Sequence, residues 1–321
     1  MTLRMAIRAA AFVMVTMCGR VGWAHPEDAH ITPQNWPSQW SWEPGIVLPL
    51  AITALLYSVG AYRIYVRNRH NPAIRAWRIA SFAAGWLTLV LALLSPLHKL
   101  GAVLFSAHMT QHELLMVIAA PLLAMGKPLL AFLFALPPKG RAMVGGWTST
   151  PPFRRSWLLL SAPLTVWILH GVTLWAWHIP ALYQATLDNE WIHAAQHATF
   201  LGTALLFWWT LIEGRYGRFG YGAALAYVFT TALHTSVLGA LITFTGRLWY
   251  PIYAGRTAPW QLSAMEDQQL GGLIMWIPCG VVFVVVGLAM FAAWIGESER
   301  QQQYSRLAAV MSTGLGNEHG E

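Results

Sequence analysis

Seven nearly unbroken apolar stretches, roughly 45–64, 77–97, 104–125, 157–178, 191–213, 221–244 and 270–295, alternate with short segments that carry most of the charge. Each is long enough for a helix to cross a hydrocarbon layer of about 30 Å. In such a layer every backbone N–H and C=O must be satisfied within the chain, which a helix does by itself. The pattern predicts an all-α, polytopic membrane helix bundle of about seven transmembrane helices over 45–296. Ahead of it, 1–24 pairs Arg4 and Arg8 with a short apolar run and the small residues Gly22 and Ala24, the layout of a secretory signal peptide. Residues 25–44 are polar, rich in Trp and Pro and without periodicity, and read as an external N-terminal segment. Residues 297–321 are polar and read as a mobile cytoplasmic tail.

The charges between the stretches set an orientation. Arg63, Arg67, Arg69, Arg75, Arg78, Lys139, Arg141, Arg154, Arg155, Arg215, Arg218, Arg300 and Arg306 fall on one side, against Lys99, Arg247 and Arg256 on the other. The positive-inside rule then puts the mature N-terminus outside and the C-terminus in the cytoplasm, as a multi-pass protein of a bacterial plasma (inner) membrane. An odd span count fits a signal peptide removed from the front.

Composition agrees. Of 321 residues 56% are hydrophobic and 10% charged, against roughly 25% charged in soluble domains. The 18 Trp and 10 Tyr suit aromatic belts at the membrane interfaces. A net charge of +7 is here orientation information, so membrane lipid and no nucleic acid is the expected surroundings. The two cysteines are Cys18, inside the signal segment, and Cys279. Neither a disulfide nor a CxxC metal clamp is therefore expected.

Histidine changes the picture most. His108 and His112 open the third stretch, His193 and His197 the fifth, and each pair at i, i+4 projects two imidazoles to one side of a helix. His178 ends the fourth stretch on the same, external level, His170 lies about two turns deeper, and His234 is near the middle of the sixth. Imidazole inside a bilayer is costly unless it faces a cavity, pairs or binds something. The expectation is an externally open metal site drawn from His108, His112, His178, His193, His197, His170 and His234. Met109 and Met116 add thioether sulfur near the first pair, which tilts the choice toward copper, since soft sulfur favours Cu(I). Asp267, just before the seventh stretch, reads as a ligand or as a partner that fixes a histidine tautomer. Glu190 makes a Glu-x-x-His stripe with His193 or caps its helix. Met275 and Cys279 repeat the i, i+4 spacing. His25 and His30, with a new N-terminal amine, could hold Cu(II). The 246–269 segment is long enough to cover the site as a lid.

There is no HExxH, Walker sequence, GxSxG or GxGxxG in a strand-turn-helix setting. The motifs leave the choice between a metal carrier and an enzyme open. Zinc in an intramembrane hydrolase, haem in a membrane oxidoreductase with His112 and His197 as axial ligands, and a copper permease stand as alternatives.

Four segments in order, SAHMTQHELLMVIAAPLLAMGKP (106–128), LWAWHIPALYQATLDNEWIHAAQH (174–197), LHTSVLGALITF (233–244) and DQQLGGLIMWIPCG (267–280), resemble the bacterial CtaG family of multi-span cytochrome c oxidase assembly proteins. The likeness runs from about residue 45 to 296. It implies a plasma-membrane protein that matures a haem-copper oxidase by delivering copper to an oxidase subunit, a metallochaperone rather than an enzyme. It also implies functional roles for His108, His112, His178, His193, His197, His234 and Asp267.

Overall fold

The computed structural model describes residues 31–67, 75–213 and 220–317, the side chains of 301 and 306–317 set aside. The expected signal segment, His25, His30, Arg69, Arg215 and Arg218 lie outside the described residues. Every regular element among the described residues is helical.

In chain order these are α1 (Pro44–Arg67), α2 (Ala76–Leu93), the short α3 (Pro96–Leu100) and α4 (Phe105–Glu113), which runs through a π-helical turn (Leu114–Ala119) into α5 (Ala120–Met125). Then come α6 (Pro128–Ala135), α7 (Pro138–Thr148), α8 (Pro151–Leu160), α9 (Pro163–Trp177), α10 (Pro180–Asp188), α11 (Glu190–Ile212), α12 (Gly220–Phe244) and α13 (Ala264–Asn317). Proline opens most of these helices, at the first turn, where its missing N–H costs nothing.

Four helices among the described residues are long and apolar enough to cross a membrane: α1, α2, α12, and α13 over Ala264–Ser305. Two bent pairs raise the number to six if each is one span: Phe105–Met125 with Pro128–Ala135, bent by 57°, and Pro151–Leu160 with Pro163–Trp177, bent by 60°. The protein is thus an all-helical membrane bundle with four to six candidate spans. The expected fifth stretch forms α11, a continuous helix of 23 residues, but Glu190, His193, Gln196 and His197 dilute the apolar content of its first half. The fourth stretch, expected as one run over 157–178, breaks at Ser161 and Ala162. Pro163 forces Ala162 into extended backbone (φ −67°, ψ 135°), because the residue before proline is pushed out of the α region. The polar tail, expected without order, continues α13 to Asn317; Gln, Arg, Leu, Ala and Met are good helix formers and no Gly or Pro interrupts them before Gly314.

Two large cores hold the bundle, with a third, smaller cluster around Leu100, Leu104 and Ala107. One joins Phe105, Met109, Met116, Phe200, Phe207, Trp208, Met275 and Phe283 from α4, the π turn, α11 and α13. The other joins α1, α2 and α6, with Tyr57 stacked on Phe82 at 3.5 Å. The rest of the long helices stays apolar toward the outside, Ile277, Val281, Val284, Val285 and Leu288 of α13 among them, a surface that belongs in lipid. Small residues allow close crossings: a Cβ on Gly272 would collide with Thr243 Oγ1 and lie 2.8 Å from the Gly239 carbonyl oxygen. Backbones of α12 and α13 meet there, as small residues allow between membrane helices.

Candidate metal centre

The first turn of α4 is anchored from another helix. The amides of Phe105 and Ser106 donate to the Asp267 carboxylate at 2.6 and 3.2 Å, and the Ser106 hydroxyl donates to it as well. A carboxylate suits that position, since it meets unsatisfied N–H groups and the positive end of the helix dipole. Asp267 reaches it because Gly271 lets α13 lie against Phe105; a Cβ there would be 2.3 Å from the Phe105 ring. Among the described residues Asp267 is in no group placed to share an ion; its bonds instead fix the height and rotation of the helix that bears His108 and His112.

Six imidazoles meet at this end of the bundle: His98 from α3, His108 and His112 from α4, His178 at the end of α9, and His193 and His197 from α11. Ring centroids lie 4.4 Å apart for His108–His112, 4.3 Å for His193–His197, 5.2 Å for His108–His193, 5.4 Å for His112–His197, 5.3 Å for His98–His193 and 6.4 Å for His112–His178. Among the described residues two trios present ligand atoms within 4.8 Å of one another: His98, His193 and His197, and His108, His112 and His197. His197 belongs to both. The second trio is buried throughout, with His108 at 0% exposure, His112 at 2% and His197 at 8%, whereas His98 and His193 are half-buried at the rim.

Glutamines orient the rings. Gln111 Nε2 donates to His98 Nδ1 at 2.9 Å and to the Ala92 carbonyl at 2.8 Å, which gives neutral His98 its proton at Nε2. His108 Nε2 lies 3.2 Å from Gln196 Oε1 and donates to it. His178 Nδ1 donates to the Leu174 carbonyl at 2.7 Å, leaving Nε2 with its lone pair. His112 has no partner at either nitrogen, and Nε2 of His178, His193 and His197 also lacks one. Buried ring nitrogens without partners are uncommon and fit a group that is to receive an ion. Burial, with Lys99 beside it, pushes His98 down to about 4, so its ring is neutral at physiological pH.

Aromatic side chains close the cluster. Tyr253 donates its hydroxyl to the Gly101 carbonyl at 2.8 Å and lies 2.8 Å from the Tyr183 hydroxyl; Tyr250 donates to the His178 carbonyl at 2.9 Å. The ring centroid of Tyr183 lies 5.1 Å from that of His108, and that of Phe200 4.6 Å from that of His112. The Tyr250 and Tyr253 bonds hold the 246–269 segment, expected as a lid, against His178 and Gly101. The cluster itself, expected to be open, lies beneath these rings, because Tyr250 and Tyr253 point inward from that segment and are fully buried.

The remaining predicted residues lie elsewhere. His170 hydrogen-bonds Thr203 at 3.3 Å and His234 stands edge-on to Trp167 at 5.7 Å, both deeper in the bundle. Met109 packs on Gly271 in the apolar core, and Met116 lines a separate small cavity with Glu113. Glu190 opens α11 at the exposed surface. Sequence reasoning missed His98, Gln111 and Gln196 as parts of the cluster. A repeat was available to find the glutamines: both histidine pairs read H-x-x-Q-H, as HMTQH and HAAQH.

Fold and site together define a polytopic helical membrane protein with a buried, histidine-only cluster at one end of its bundle. Residues 55–297 match the model of the cytochrome c oxidase caa3 assembly factor family, Caa3_CtaG, and the chain belongs to that family. Uncharacterised proteins of Mycobacterium leprae (27% identical over 264 residues), Mycobacterium bovis and Mycobacterium tuberculosis (each 25% over 274 residues) are similar to 78–81% of it. The chain spans only 39–40% of the length of these relatives. No solved structure matches it.

Proposed function

We propose that the protein is a non-catalytic assembly factor for a haem-copper oxidase, resident in the bacterial plasma membrane, that takes up copper at the histidine cluster and hands it to an oxidase subunit. The observation that carries this reading is the trio of His108, His112 and His197, with imidazoles in reach of one ion and His112 unpartnered at both nitrogens. Family membership supplies the oxidase. With seven spans, α11 among them, the charge bias of the loops puts the cluster on the outer side, away from cytoplasmic thiols.

Copper enters past the rim histidines His98 and His193, near the Lys99–Glu43 ion pair (3.3 Å), and moves to the buried trio by ligand exchange at the shared His197. Neutral imidazoles suit copper, and a three-ligand site keeps a position open for the next ligand, as release to a client requires. A neutral imidazole has one lone pair, so the shared His197 lets one ion at a time fill the two trios, and an ion at the rim trio displaces the Gln111 bond from His98 Nδ1. Rings in mutual contact at 4.3–6.4 Å favour an ion over a haem plane.

Because His98, His193 and His197 can hold an ion without α4, the test is the shared vertex and not the His108/His112 pair. Purified wild-type protein is expected to carry nitrogen-bound copper by elemental analysis and X-ray absorption, and His197→Ala to lose it while remaining folded in detergent. Nitrogen-bound copper unchanged in His197→Ala overturns the proposal. Three imidazoles with an open position are also the donor set of hydrolytic zinc; zinc in place of copper would move the reading there.

A further inference from the structure

One turn below the imidazoles lies a cavity of about 20 Å³ lined by Glu113, Met116, His170, Thr235, Met275 and Cys279 among apolar walls. Its place follows from the chain. Glu113 succeeds His112, and Leu174, whose carbonyl holds the His178 ring, forms part of the wall. The volume admits one water-sized particle, which excludes an organic ligand or lipid chain.

The lining is not that of a packing defect. Met and Cys often fill cores, but here Met116 from the π turn lines the same cavity as Met275 and Cys279, which sit at i, i+4 on α13. Into the same space comes Glu113, only 8% exposed, with Oε2 lacking any partner. A buried carboxyl oxygen left bare is costly, and a cation beside it removes that cost. Two thioethers and a thiol select soft ions, Cu(I) before hard divalent ones. The π turn fits as well, since such turns concentrate at functional sites.

We propose that this cavity is a second, sulfur-lined site for Cu(I), with Met116, Met275 and Cys279 as ligands and Glu113 Oε2 beside the ion. This rests on the copper reading of the histidine cluster and extends it: the ion passes from imidazole to sulfur, one turn deeper. Met116 and Met275 bind through neutral thioether sulfur. Cys279 binds as thiolate, its proton leaving to solvent as the monovalent ion enters, so one positive charge replaces another and no electron is transferred.

The test loads full-length protein with Cu(I) under anaerobic, reducing conditions and reads bound copper and its X-ray absorption. Wild type is expected to show two equivalents, one with nitrogen and one with sulfur neighbours. His197→Ala should keep the sulfur-bound ion, and Cys279→Ser with Met275→Leu should keep only the nitrogen-bound one. Met116→Leu, which conserves volume, should weaken the sulfur-bound ion at least tenfold in chelator competition, and covers the case of a double variant that does not fold. Nitrogen-bound copper with no sulfur shell in wild type, the result if the cavity holds only a water, overturns this site and leaves the histidine proposal standing. A sulfur shell that persists unchanged in both sulfur variants also overturns it. Copper at neither place sinks both.

Discussion

The histidine cluster and the sulfur-lined cavity sit on the same stretch of chain, His108 to Met116, and are built in opposite ways. The cluster draws on α3, α4, α9 and α11 and is held by directional bonds, with Gln111, Gln196, Asp267, Tyr250 and Tyr253 each fixing one piece. The cavity is shaped by apolar packing of the π turn against α9, α11, α12 and α13, and contains a carboxyl oxygen that nothing satisfies. The first arrangement preorganises neutral nitrogen donors near the bundle end. The second leaves soft donors in the interior. On the two-site proposal an ion moving between them trades borderline ligands for soft ones.

The sharpest way to separate the two regions is Asp267→Ala. It orphans the amides of Phe105 and Ser106, at about 1–3 kcal/mol for each buried donor left bare, and frees the start of α4. A lower melting temperature and loss of nitrogen-bound copper are expected, while the sulfur-bound ion, held one turn below and by α13 itself, persists. If both ions vanish together with the fold intact, the two regions are one site.

Gln111→Leu probes the cluster more gently. It removes the donor to His98 Nδ1 and frees that ring to change tautomer. The bond occupies the one lone pair that His98 offers an ion, unlike a partner that accepts a ligand histidine's N–H and raises its affinity. We expect a several-fold tighter uptake in chelator competition and no change at the cavity; an unchanged uptake would show that His98 takes no part in entry.

Much of the bundle was legible because lipid imposes a simple rule: apolar runs of about 20 residues become helices. The departures came from forces that hydropathy does not register. Pro163 split the fourth run, the H-x-x-Q-H polarity of α11 diluted the fifth, and the π turn gave Met116 to Glu113 rather than to the imidazoles. The i, i+4 pairs were legible as half-sites because helix geometry alone makes them neighbours. His98 was not, since it stands by itself on a five-residue helix and reaches the cluster only through tertiary packing. Asp267 was legible as important and not as to its task, because a carboxylate near histidines in sequence can equally meet backbone amides in space.

The smallest expected effect is at the cover. Tyr253→Phe keeps the ring, which packs on Phe105 at 6.0 Å, and removes the hydrogen bonds to the Gly101 carbonyl and the Tyr183 hydroxyl. Two neutral hydrogen bonds of this kind contribute about 1–2 kcal/mol together, so the melting temperature should fall only slightly. The bond to Gly101 ties the 246–269 segment to the turn beside His108, and loosening it opens the buried trio more often. Nitrogen-bound copper should then leave to a chelator several-fold faster at nearly unchanged affinity, with release from the sulfur-lined cavity following the same gain, because its ion must pass the cluster on the way out. Faster release from the cavity alone would mean a second exit, and the single path from imidazole to sulfur would be broken.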